Sequence, residues 1–282
     1  MLRNFFRAIY LSITGAFETK LQPGERIADR YEVQKCIGMG SYGFSYLVYD
    51  IERESEIVLK TLRLHKRISK RGKLSFQKEV EILREVQHPN FPLVYEQGIH
   101  KRIPYFTMEY INGKTFEQLI FQDGKVYSEG EAFQIGFDLF LLMGYLHQKG
   151  IIHRDLRIPN VMLDGKMLKV IDFGLAKYRE DRVQINHKPF KRIKDIKRLA
   201  TPESDYYALG HFLLFLLYSQ YVVREEQKEK SWEEELSISE DAKRIIKKLL
   251  LTSTPYQEEE ELKNDLLNLI QKSGRRKENV IF

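Results

Sequence analysis

Two aspartates and an asparagine within an 18-residue stretch are the side chains best suited to chemistry in this chain. Asp155 precedes Asn160 by five residues, and Asp172 follows Asn160 by twelve. Asn160 and Asp172 offer hard oxygen ligands that suit Mg²⁺, which binds few protein carboxylates and leaves positions for phosphate oxygens. Asp155 can accept a hydroxyl proton or orient a hydroxyl. The three residues together predict a metal and phosphate site beside a hydroxyl acceptor.

A short β-hairpin is predicted to carry these residues on its flanking loops. Residues 161–163 and 168–171 read as its two strands, with the turn at Asp164-Gly165. The loop before the hairpin, residues 153–160, and the Asp-Phe-Gly at residues 172–174 resemble the catalytic loop and the metal-binding motif of protein kinases.

A glycine-rich motif lies upstream, where a protein kinase would have it. Residues 38–43 read Gly-Met-Gly-Ser-Tyr-Gly and match G-x-G-x-x-G. The motif alone is weak, but it lies between two strand-like runs, residues 31–37 and 44–49, and not between a strand and a helix. This context favours a hairpin flap over phosphates and disfavours a dinucleotide site.

A lysine and a glutamate follow in the order that protein kinases use. Residues 57–60 read Ile-Val-Leu-Lys and resemble the V-A-I-K strand, with Lys60 as its lysine. Residues 76–86 then predict a helix with one apolar face. Glu79 lies on the inward side of this helix and is the expected partner of Lys60, whereas Glu81 points elsewhere.

The resemblance covers roughly residues 26 to 270. It implies a bilobal α+β protein-kinase-like fold, with a small five-stranded antiparallel β lobe plus one helix and a larger, mainly helical lobe. The expected strands are residues 31–38, 44–50, 55–62, 93–100 and 102–109. The expected domains are an N-terminal amphipathic segment at 1–23, the N-lobe at 24–110, the C-lobe at 111–271 and a C-terminal tail at 272–282.

Two capping boxes mark helix starts in the larger lobe. Thr115-x-x-Gln118 predicts a short helix, and Ser128-x-x-Glu131 predicts a helix that continues to Gln148 and is apolar almost all round. The latter should be a buried core helix that delivers the chain into residue 153.

The resemblance assigns roles to the site residues. Lys60, held by Glu79, would contact the α- and β-phosphates of ATP, and Asn160 and Asp172 would hold Mg²⁺. Asp155 would orient the incoming hydroxyl, and Arg157 occupies the place where most serine/threonine kinases have a lysine that contacts the γ-phosphate. The expected nucleotide-binding residues are Gly38, Gly40, Ser41, Gly43, Ser45, Val58, Lys60, Met108, Glu109, Ile111 and Met162.

The adenine would be bound by backbone atoms and by apolar faces. The carbonyl of Glu109 and the amide of Ile111 would bond its edge, next to Met108 as gatekeeper. Ser45 replaces the usual valine and Val58 the usual alanine, so one roof position shrinks while its neighbour grows. Met162, later in the chain, would form the floor of the adenine site.

Composition narrows the class of protein. A hydrophobic content of 43% is sufficient for a core, and the single cysteine, Cys36, excludes an internal disulfide and is expected to be buried on its strand.

From Lys177 to Arg198, nine Lys and Arg stand against three acids, an excess equal to the net charge of +6. The rest of the chain is therefore expected to be balanced. The basic segment is interpreted as a solvated face or as a docking site for an acidic substrate or partner. Nucleic acid is not expected, because the two aromatic residues of the segment, Tyr178 and Phe190, are too few to form the interleaved pattern that supports base stacking.

Residues 1–17 carry an apolar stripe at helical spacing, Phe5, Ile9, Ile13 and Phe17. The run is too short to span a bilayer, which takes about 20 apolar residues. A helix packed on the protein or on a partner, a helix at a membrane surface and a signal peptide are the three interpretations. We expect a cytoplasmic protein, with peripheral association at the inner membrane face as the alternative.

The chain departs from the family after residue 174. Thr201-Pro202-Glu203 stands only two residues before Asp205, which is predicted to open a long apolar helix; the usual Ala-Pro-Glu lies about a dozen residues earlier. The arginine that normally pairs with its glutamate should fall at Glu258, so both partners of this ion pair are absent.

The expected function is ATP- and Mg²⁺-dependent phosphorylation of protein serine or threonine, with autophosphorylation. The alternatives are a small-molecule kinase of the same fold and a non-catalytic pseudokinase scaffold.

Overall fold

The computed structural model describes residues 20–40, 43–179, 199–221 and 230–278. The described chain divides into two compact units. Unit 1 contains the described residues up to Asn112, together with Phe173–Leu175. Unit 2 contains Gly113–Asp172 and the described residues from Ala176 onward. None of the helices in the described ranges combines the length and the hydropathy that a bilayer span requires.

Unit 1 is an antiparallel sheet with helices inserted after its fourth strand. Its elements are β1 (Arg26–Ile27), β2 (Tyr31–Met39), β3 (Gly43–Asp50), β4 (Ser55–Leu62), α1 (Leu64–Ile68), α2 (Lys70–Glu85), β5 (Val94–His100) and β6 (Ile103–Glu109). The strand order is β1-β2-β3-β4-β6-β5. The predicted antiparallel sheet is confirmed, and the structure adds β1 as a sixth strand and α1 as a second helix.

Side-chain alternation gives the two faces of this sheet different roles. One face carries a buried cluster that includes Tyr31, Tyr46 and Tyr105; Tyr105 stacks edge-on against Tyr31 with ring centroids 5.9 Å apart. On the other face lie the alternate residues of the same strands. From residue 57 onward β4 is buried on both faces, which explains its continuous apolar run around one lysine.

Helix α2 covers the second face of the sheet. The ring of Phe76 lies 5.2 Å from that of Phe106 on β6, and Val80 and Leu83 are buried on the same side of the helix. The prediction that this helix starts at Phe76 was wrong, because α2 begins at Lys70 with Ser69 as its N-cap. Its first turn holds no buried apolar side chain, so the apolar periodicity that marks a helix begins one turn late.

Unit 2 is mainly helical, with short strands around the loops. Its elements are β7 (Lys114–Thr115), α3 (Phe116–Phe121), α4 (Glu129–Gln148), β8 (Ile151–Ile152), β9 (Val161–Asp164), β10 (Met167–Val170), β11 (Lys177–Tyr178), α5 (Pro202–Tyr218), α6 (Trp232–Glu235), α7 (Glu240–Leu249) and α8 (Glu259–Glu278). β9 pairs with β10 and β7, and β8 pairs with β11, all antiparallel. The expected α+β class is confirmed.

Both predicted capping boxes are present in unit 2. The side chains of Thr115 and Ser128 accept from the N–H groups of Gln118 and Glu131, and each third residue returns the bond to the cap backbone. Helix α4 is buried along most of its length, as predicted, and its Phe140 ring lies 6.4 Å from Tyr206 on α5.

Three expectations about local structure were wrong. Cys36 is exposed, because β2 leaves its middle residues uncovered. Helix α5 begins at Pro202 and not at Asp205, since proline fits the first helical position. The last helix was expected over residues 258–271, but α8 runs to Glu278, because polar residues continue the helix without an apolar signal.

A charge network ties the ends of three strands together in unit 1. Arg30, just before β2, donates from Nε and Nη2 to the two oxygens of Asp50, at 2.6 and 2.7 Å, and from Nη1 to Glu96 at 2.9 Å. Asp50 is fully buried. Burial alone would raise the pKa of Asp50, but the guanidinium of Arg30 and nearby backbone N–H groups outweigh burial and hold this pKa below its usual value.

We predict that Asp50→Asn lowers the free energy of unfolding by about 3 kcal/mol at pH 7, because Arg30 loses its buried partner. A carboxyl with a depressed folded-state pKa stabilises the fold above its unfolded pKa, about 3.9. The loss should therefore keep its full size from pH 8 to about pH 4 and shrink below it, as measured by urea unfolding. Glu52→Gln is the control, because the exposed Glu52 carboxylate contacts the same arginine at 2.7 Å and should matter by less than about 1 kcal/mol. Equal losses in the two variants would contradict the role given to burial.

Candidate active site

A buried ion pair joins the sheet of unit 1 to its long helix. Nζ of Lys60 on β4 donates to Oε1 of Glu79 on α2 at 2.5 Å. Only 7% of Lys60 and 3% of Glu79 are exposed. A lysine stem that is unheld keeps its rotamer freedom, so this contact fixes where the ammonium lies. The structure therefore brings together the two charged residues that sequence analysis paired.

Strand register places further predicted site residues beside Lys60. Ser45 on β3 is the cross-strand neighbour of both Gly38 and Lys60. Val58, two residues before Lys60, is paired with Met108 on β6. Since residues two apart on a strand and directly opposed residues share a face, these five side-chain positions lie on the face that α2 partly covers.

The three motif glycines differ in what the protein itself demands of them. A Cβ on Gly43 would lie 2.2 Å from the carbonyl oxygen of Thr61, so no side chain fits there. A Cβ on Gly38 or Gly40 would meet nothing closer than 3.6 Å. Packing within the protein therefore requires glycine only at the third position. The space beside Gly38 and Gly40 is available to a ligand. Ser41 lies outside the described residues.

The end of β6 is fixed by a two-way contact with the chain before β5. The N–H of Glu109 donates to the Leu93 carbonyl at 2.8 Å, and the N–H of Leu93 donates to Oε2 of Glu109 at 3.2 Å. Ile111 follows and is buried. In unit 2, Met162 on β9 pairs with Thr115 and is half-buried.

Arg157 binds the carboxylate of Asp155 through two hydrogen bonds from its guanidinium. Nε donates to Oδ1 at 2.7 Å and Nη2 donates to Oδ2 at 3.0 Å, the planar bidentate geometry that only arginine provides. The Asp155 carboxylate raises the pKa of Arg157, with a further contribution from Asp172. Asp172 therefore lies close enough to this pair to act on it electrostatically.

Asn160 completes the group from the other side. Its Nδ2 donates to both the backbone oxygen and Oδ2 of Asp155, each at 2.9 Å. The backbone carbonyl of Asn160 accepts from the N–H of Ile171 at 2.9 Å, which connects the loop to the residue before Asp172. Because the amide nitrogen is committed to Asp155, the amide oxygen is the atom left for a cation.

The donor set of Asn160 and Asp172 fits Mg²⁺ in the presence of phosphate. An amide oxygen and a carboxylate are hard ligands, and two protein ligands leave positions for water and phosphate oxygens. In the described ranges, no cluster of three or more His, Cys, Asp or Glu side chains could hold a metal ion. These two residues fit a cation that is shared with a bound phosphate group.

One buried carboxylate holds the backbone that leads into Asp155. Oδ2 of Asp205 accepts the N–H of His153 at 3.0 Å and lies 2.9 Å from Nε2 of His147, while Oδ1 accepts the N–H of Arg154 at 2.7 Å. Arg154 has a φ of +68°, a left-handed conformation that a residue other than glycine adopts only when its surroundings require it. From the sequence, Asp205 was predicted only to open a helix. Its spacing alone could not show that it binds backbone N–H groups more than fifty residues away.

His153 is a packing residue in this arrangement. It is fully buried, and burial lowers its pKa, so the imidazole is neutral at pH 7. Its Nδ1 accepts the N–H of Asp155 at 3.3 Å. The Asp-Phe-Gly stretch divides between the units: Asp172 belongs to unit 2, whereas Phe173 belongs to unit 1, where its ring lies 5.7 Å from Phe91.

Comparison with known proteins agrees with this geometry. Residues 31–279 match the protein kinase domain. The chain is 34% identical over 255 residues to the probable serine/threonine-protein kinase YbdM of Bacillus subtilis, a match that spans 90% of this chain and 95% of YbdM. It is 30% identical over 202 residues to the serine/threonine-protein kinase PrkC of the same organism, over 69% of this chain but only 31% of PrkC.

The fold is similar to that of a solved kinase domain. The crystal structure of the PknI kinase domain of Mycobacterium tuberculosis aligns with a TM-score of 0.67 at 20% identity, covering 89% of this chain and all of that domain. At this identity the similarity speaks for the fold alone, and it confirms the predicted kinase-like architecture.

We predict that Asp205→Asn lowers the free energy of unfolding by about 2 kcal/mol or more, because one of two buried backbone N–H groups loses its charged acceptor. Hydrogen exchange at the amides of His153 and Arg154 should speed up in the same variant. Glu203→Gln removes a carboxylate from the same helical turn and serves as the control; it should change the exchange of these amides little. Equal effects of the two variants would contradict the role of Asp205 as acceptor of these two N–H groups and favour a general effect of charge at the helix start.

Proposed function

The chain belongs to the protein kinase family, among relatives that are bacterial serine/threonine kinases, and we propose that it transfers the γ-phosphoryl group of ATP to serine or threonine hydroxyls of proteins. The buried Lys60–Glu79 pair is the observation that carries this proposal. Phosphoryl transfer depends on positioning and charge neutralisation, and in protein kinases this lysine and glutamate must be paired for activity. A fully buried pair also argues against a scaffold that has lost its chemistry.

Lys60 binds the α- and β-phosphates in this proposal, and Glu79 holds it in place. The glycine-rich hairpin covers the phosphates, with Gly38 and Gly40 leaving room that the protein itself does not need. Ser41 belongs to the same motif by sequence. Arg157, besides binding Asp155, can donate to the γ-phosphate from its exposed guanidinium.

Asp155 orients the acceptor hydroxyl. Arg157 and Asn160 together place three N–H donors on its two carboxylate oxygens, so a hydroxyl meets this group in one orientation only. A carboxylate has about four lone-pair positions, which leaves one for the hydroxyl. Positioned general-base assistance of this kind contributes about 10²- to 10⁴-fold in rate.

Asn160 and Asp172 hold Mg²⁺ in this proposal. The ion, when bound, neutralises the developing charge on the phosphates. What the chain itself supplies is orientation, since the amide of Asn160 is turned by its two bonds to Asp155. Asp172 has a φ of +63°, so its backbone is held in a conformation that this residue type tolerates better than most.

We place the adenine against the face of the unit 1 sheet that carries Ser45, Val58 and Met108. The backbone of Glu109 and Ile111 would bond the edge of the base. The shared face of Ser45, Val58 and Met108 supports this placement.

The protein substrate is proposed to be acidic near its phosphorylated residue. This part rests on the basic segment from Lys177 to Arg198, of which only residues 177–179 are described. A cluster of nine cations would favour acidic flanks through charge complementarity.

The test is transfer of labelled γ-phosphate from Mg-ATP to the full chain and to acceptor peptides, followed by phosphoamino-acid analysis. Wild type should label serine or threonine on peptides and, through autophosphorylation, on itself. Asp155→Asn should reduce the rate about 10²-fold or more, and Asp172→Ala should reduce it at least as much. Peptides that differ only in flanking Glu or Lys should favour Glu; equal rates would reject the acidic preference.

Two outcomes would overturn the main proposal. Absence of protein label in a chain that still binds ATP would indicate a small-molecule kinase of the same fold. Absence of both label and ATP binding would indicate a non-catalytic scaffold.

We predict that Glu79→Gln lowers kcat/KM about 10²-fold, because the Lys60 ammonium loses its fixed position at the phosphates. Glu81→Gln is the matched control: this residue lies on the same helix, is exposed, and accepts only a weak bond from Gln77 at 3.3 Å. Its kinetics should stay within twofold of wild type. If both variants lost activity equally, the effect would come from the helix and not from the ion pair.

A further inference from the structure

A second basic region lies in unit 1, far in sequence from the basic segment near the Asp-Phe-Gly. Residues 63–74 contain six Lys and Arg and no Asp or Glu. The chain outside residues 177–198 is balanced in sum, as expected, but this balance hides a local excess of positive charge. A net charge sums over the whole chain, and acids elsewhere conceal this local excess.

The structure gathers the outer part of this region at one corner, where α1 ends and α2 begins. We call Ile68, Lys70, Arg71, Lys73 and Leu74 the α1–α2 corner. All five are exposed, Ile68 to 65% and Leu74 to 53%. Lys70 and Leu74 lie one turn apart on the side of α2 opposite its buried residues.

The cations of the α1–α2 corner have no acidic partner among the described residues. No carboxylate in the part of the chain that the structure describes lies within ion-pair distance of Lys70, Arg71 or Lys73. Elsewhere on the surface, exposed lysines such as Lys114 and Lys272 pair with acids. The charge of this corner is therefore available to an external anion.

The position of these cations on the helix is unfavourable for the isolated protein. The first turn of α2 holds three cations and no acid. The partial positive charge of a helix N-terminus favours acids there and disfavours Lys and Arg. An anion bound at this corner would be attracted by the side chains and by the helix together.

The corner is rigid enough to present a defined surface. A Cβ on Gly72 would lie 2.4 Å from the Lys66 carbonyl oxygen, so α1 folds against the first turn of α2 only because this residue lacks a side chain. The Ser69 side chain accepts from the N–H of Gly72 at 3.3 Å and caps α2. Exposed aliphatic side chains are thus held beside exposed cations.

The N-terminal segment joins unit 1 next to this region. Nζ of Lys20, the first described residue, lies 5.8 Å from the centroid of the Phe44 ring, and the guanidinium of Arg63 lies 5.3 Å from the same ring. Arg63 is the residue immediately before α1. Residues 1–19 lie outside the described residues, and their sequence holds the apolar stripe and the two arginines at positions 3 and 7.

We propose that the α1–α2 corner is a docking surface for an anionic phospholipid membrane. Lys70, Arg71 and Lys73 meet lipid phosphates, and Ile68 and Leu74 insert among the acyl chains near the headgroups. Stable peripheral binding requires two signals, such as a basic patch and an apolar element, and this corner supplies both in its three cations and its two exposed aliphatic side chains.

The aliphatic residues favour a membrane over nucleic acid. Phosphates of a nucleic acid would be bound by the cations alone, with no role for Ile68 or Leu74. Binding of bases would require aromatic side chains, and none belongs to the corner. A lipid surface uses both kinds of side chain at once.

The experiment is co-sedimentation of the full chain with vesicles of phosphatidylcholine alone and with 30 mol% phosphatidylserine, at two salt concentrations. Wild type should bind only the anionic vesicles and bind less at high salt. The triple variant Lys70→Gln, Arg71→Gln, Lys73→Gln should weaken binding on the order of 10²-fold, since each cation contributes about a factor of five. Ile68→Ser with Leu74→Ser should weaken it about tenfold.

The control variant Lys35→Gln, Lys101→Gln, Arg102→Gln removes the same three charges from other exposed positions of unit 1. It should keep most of the binding, with an unchanged melting temperature in every variant. Equal weakening by the two triple variants would overturn the proposal in favour of net charge. Binding of duplex DNA as strong as that of vesicles, with no effect of the two serine substitutions, would overturn it in favour of a general polyanion site. No binding to anionic vesicles would reject it outright.

Discussion

The Asp205 carboxylate is the constraint on which the geometry of unit 2 depends. It lies buried at the start of α5 and accepts the backbone N–H groups of His153 and Arg154. These bonds hold Arg154 in a left-handed conformation that it would not adopt alone. The next residue is Asp155, so the direction of the proposed catalytic carboxylate follows from bonds that its neighbours make to a residue fifty positions later. The Arg157 fork and the Asn160 amide then act on a group whose backbone is already fixed.

The two halves of the proposed site are positioned by different physics. In unit 1, strand register places Ser45 beside Lys60, and Val58 beside Met108, through regular backbone pairing. In unit 2, the proposed site residues lie on loops, and side-chain hydrogen bonds to Asp155 position them in place of backbone pairing between strands. A register error in unit 1 would move Lys60 to the opposite face of the sheet. A lost bond in unit 2 would instead free one side chain from its neighbours.

Sequence alone could predict the fold and could supply the candidate site residues, because the order and spacing of the motifs are specific. The predicted strand from 55 to 62 is found unchanged, and Glu79 was distinguished from Glu81 by helical period alone. The start of α2 was missed because its first turn is polar, and a polar turn has no apolar period to detect. The role of Asp205 was missed because a side chain that accepts distant backbone N–H groups leaves no pattern in sequence. Distances between residues far apart in the chain are set by packing, which no local spacing encodes.

The charge of the chain illustrates the same limit. Nine cations against three acids in residues 177–198 equal the net charge, and this equality made the remainder look neutral. Neutral in sum is compatible with strong local charge, since a screened field falls off over about 10 Å and each surface region acts by itself. Residues 63–74 carry the same excess in half the length. What decides their effect is whether acids lie near them in space, and within the described ranges no carboxylate forms an ion pair with Lys70, Arg71 or Lys73. The physically relevant quantity is therefore charge per exposed surface, and only a folded structure supplies the surface.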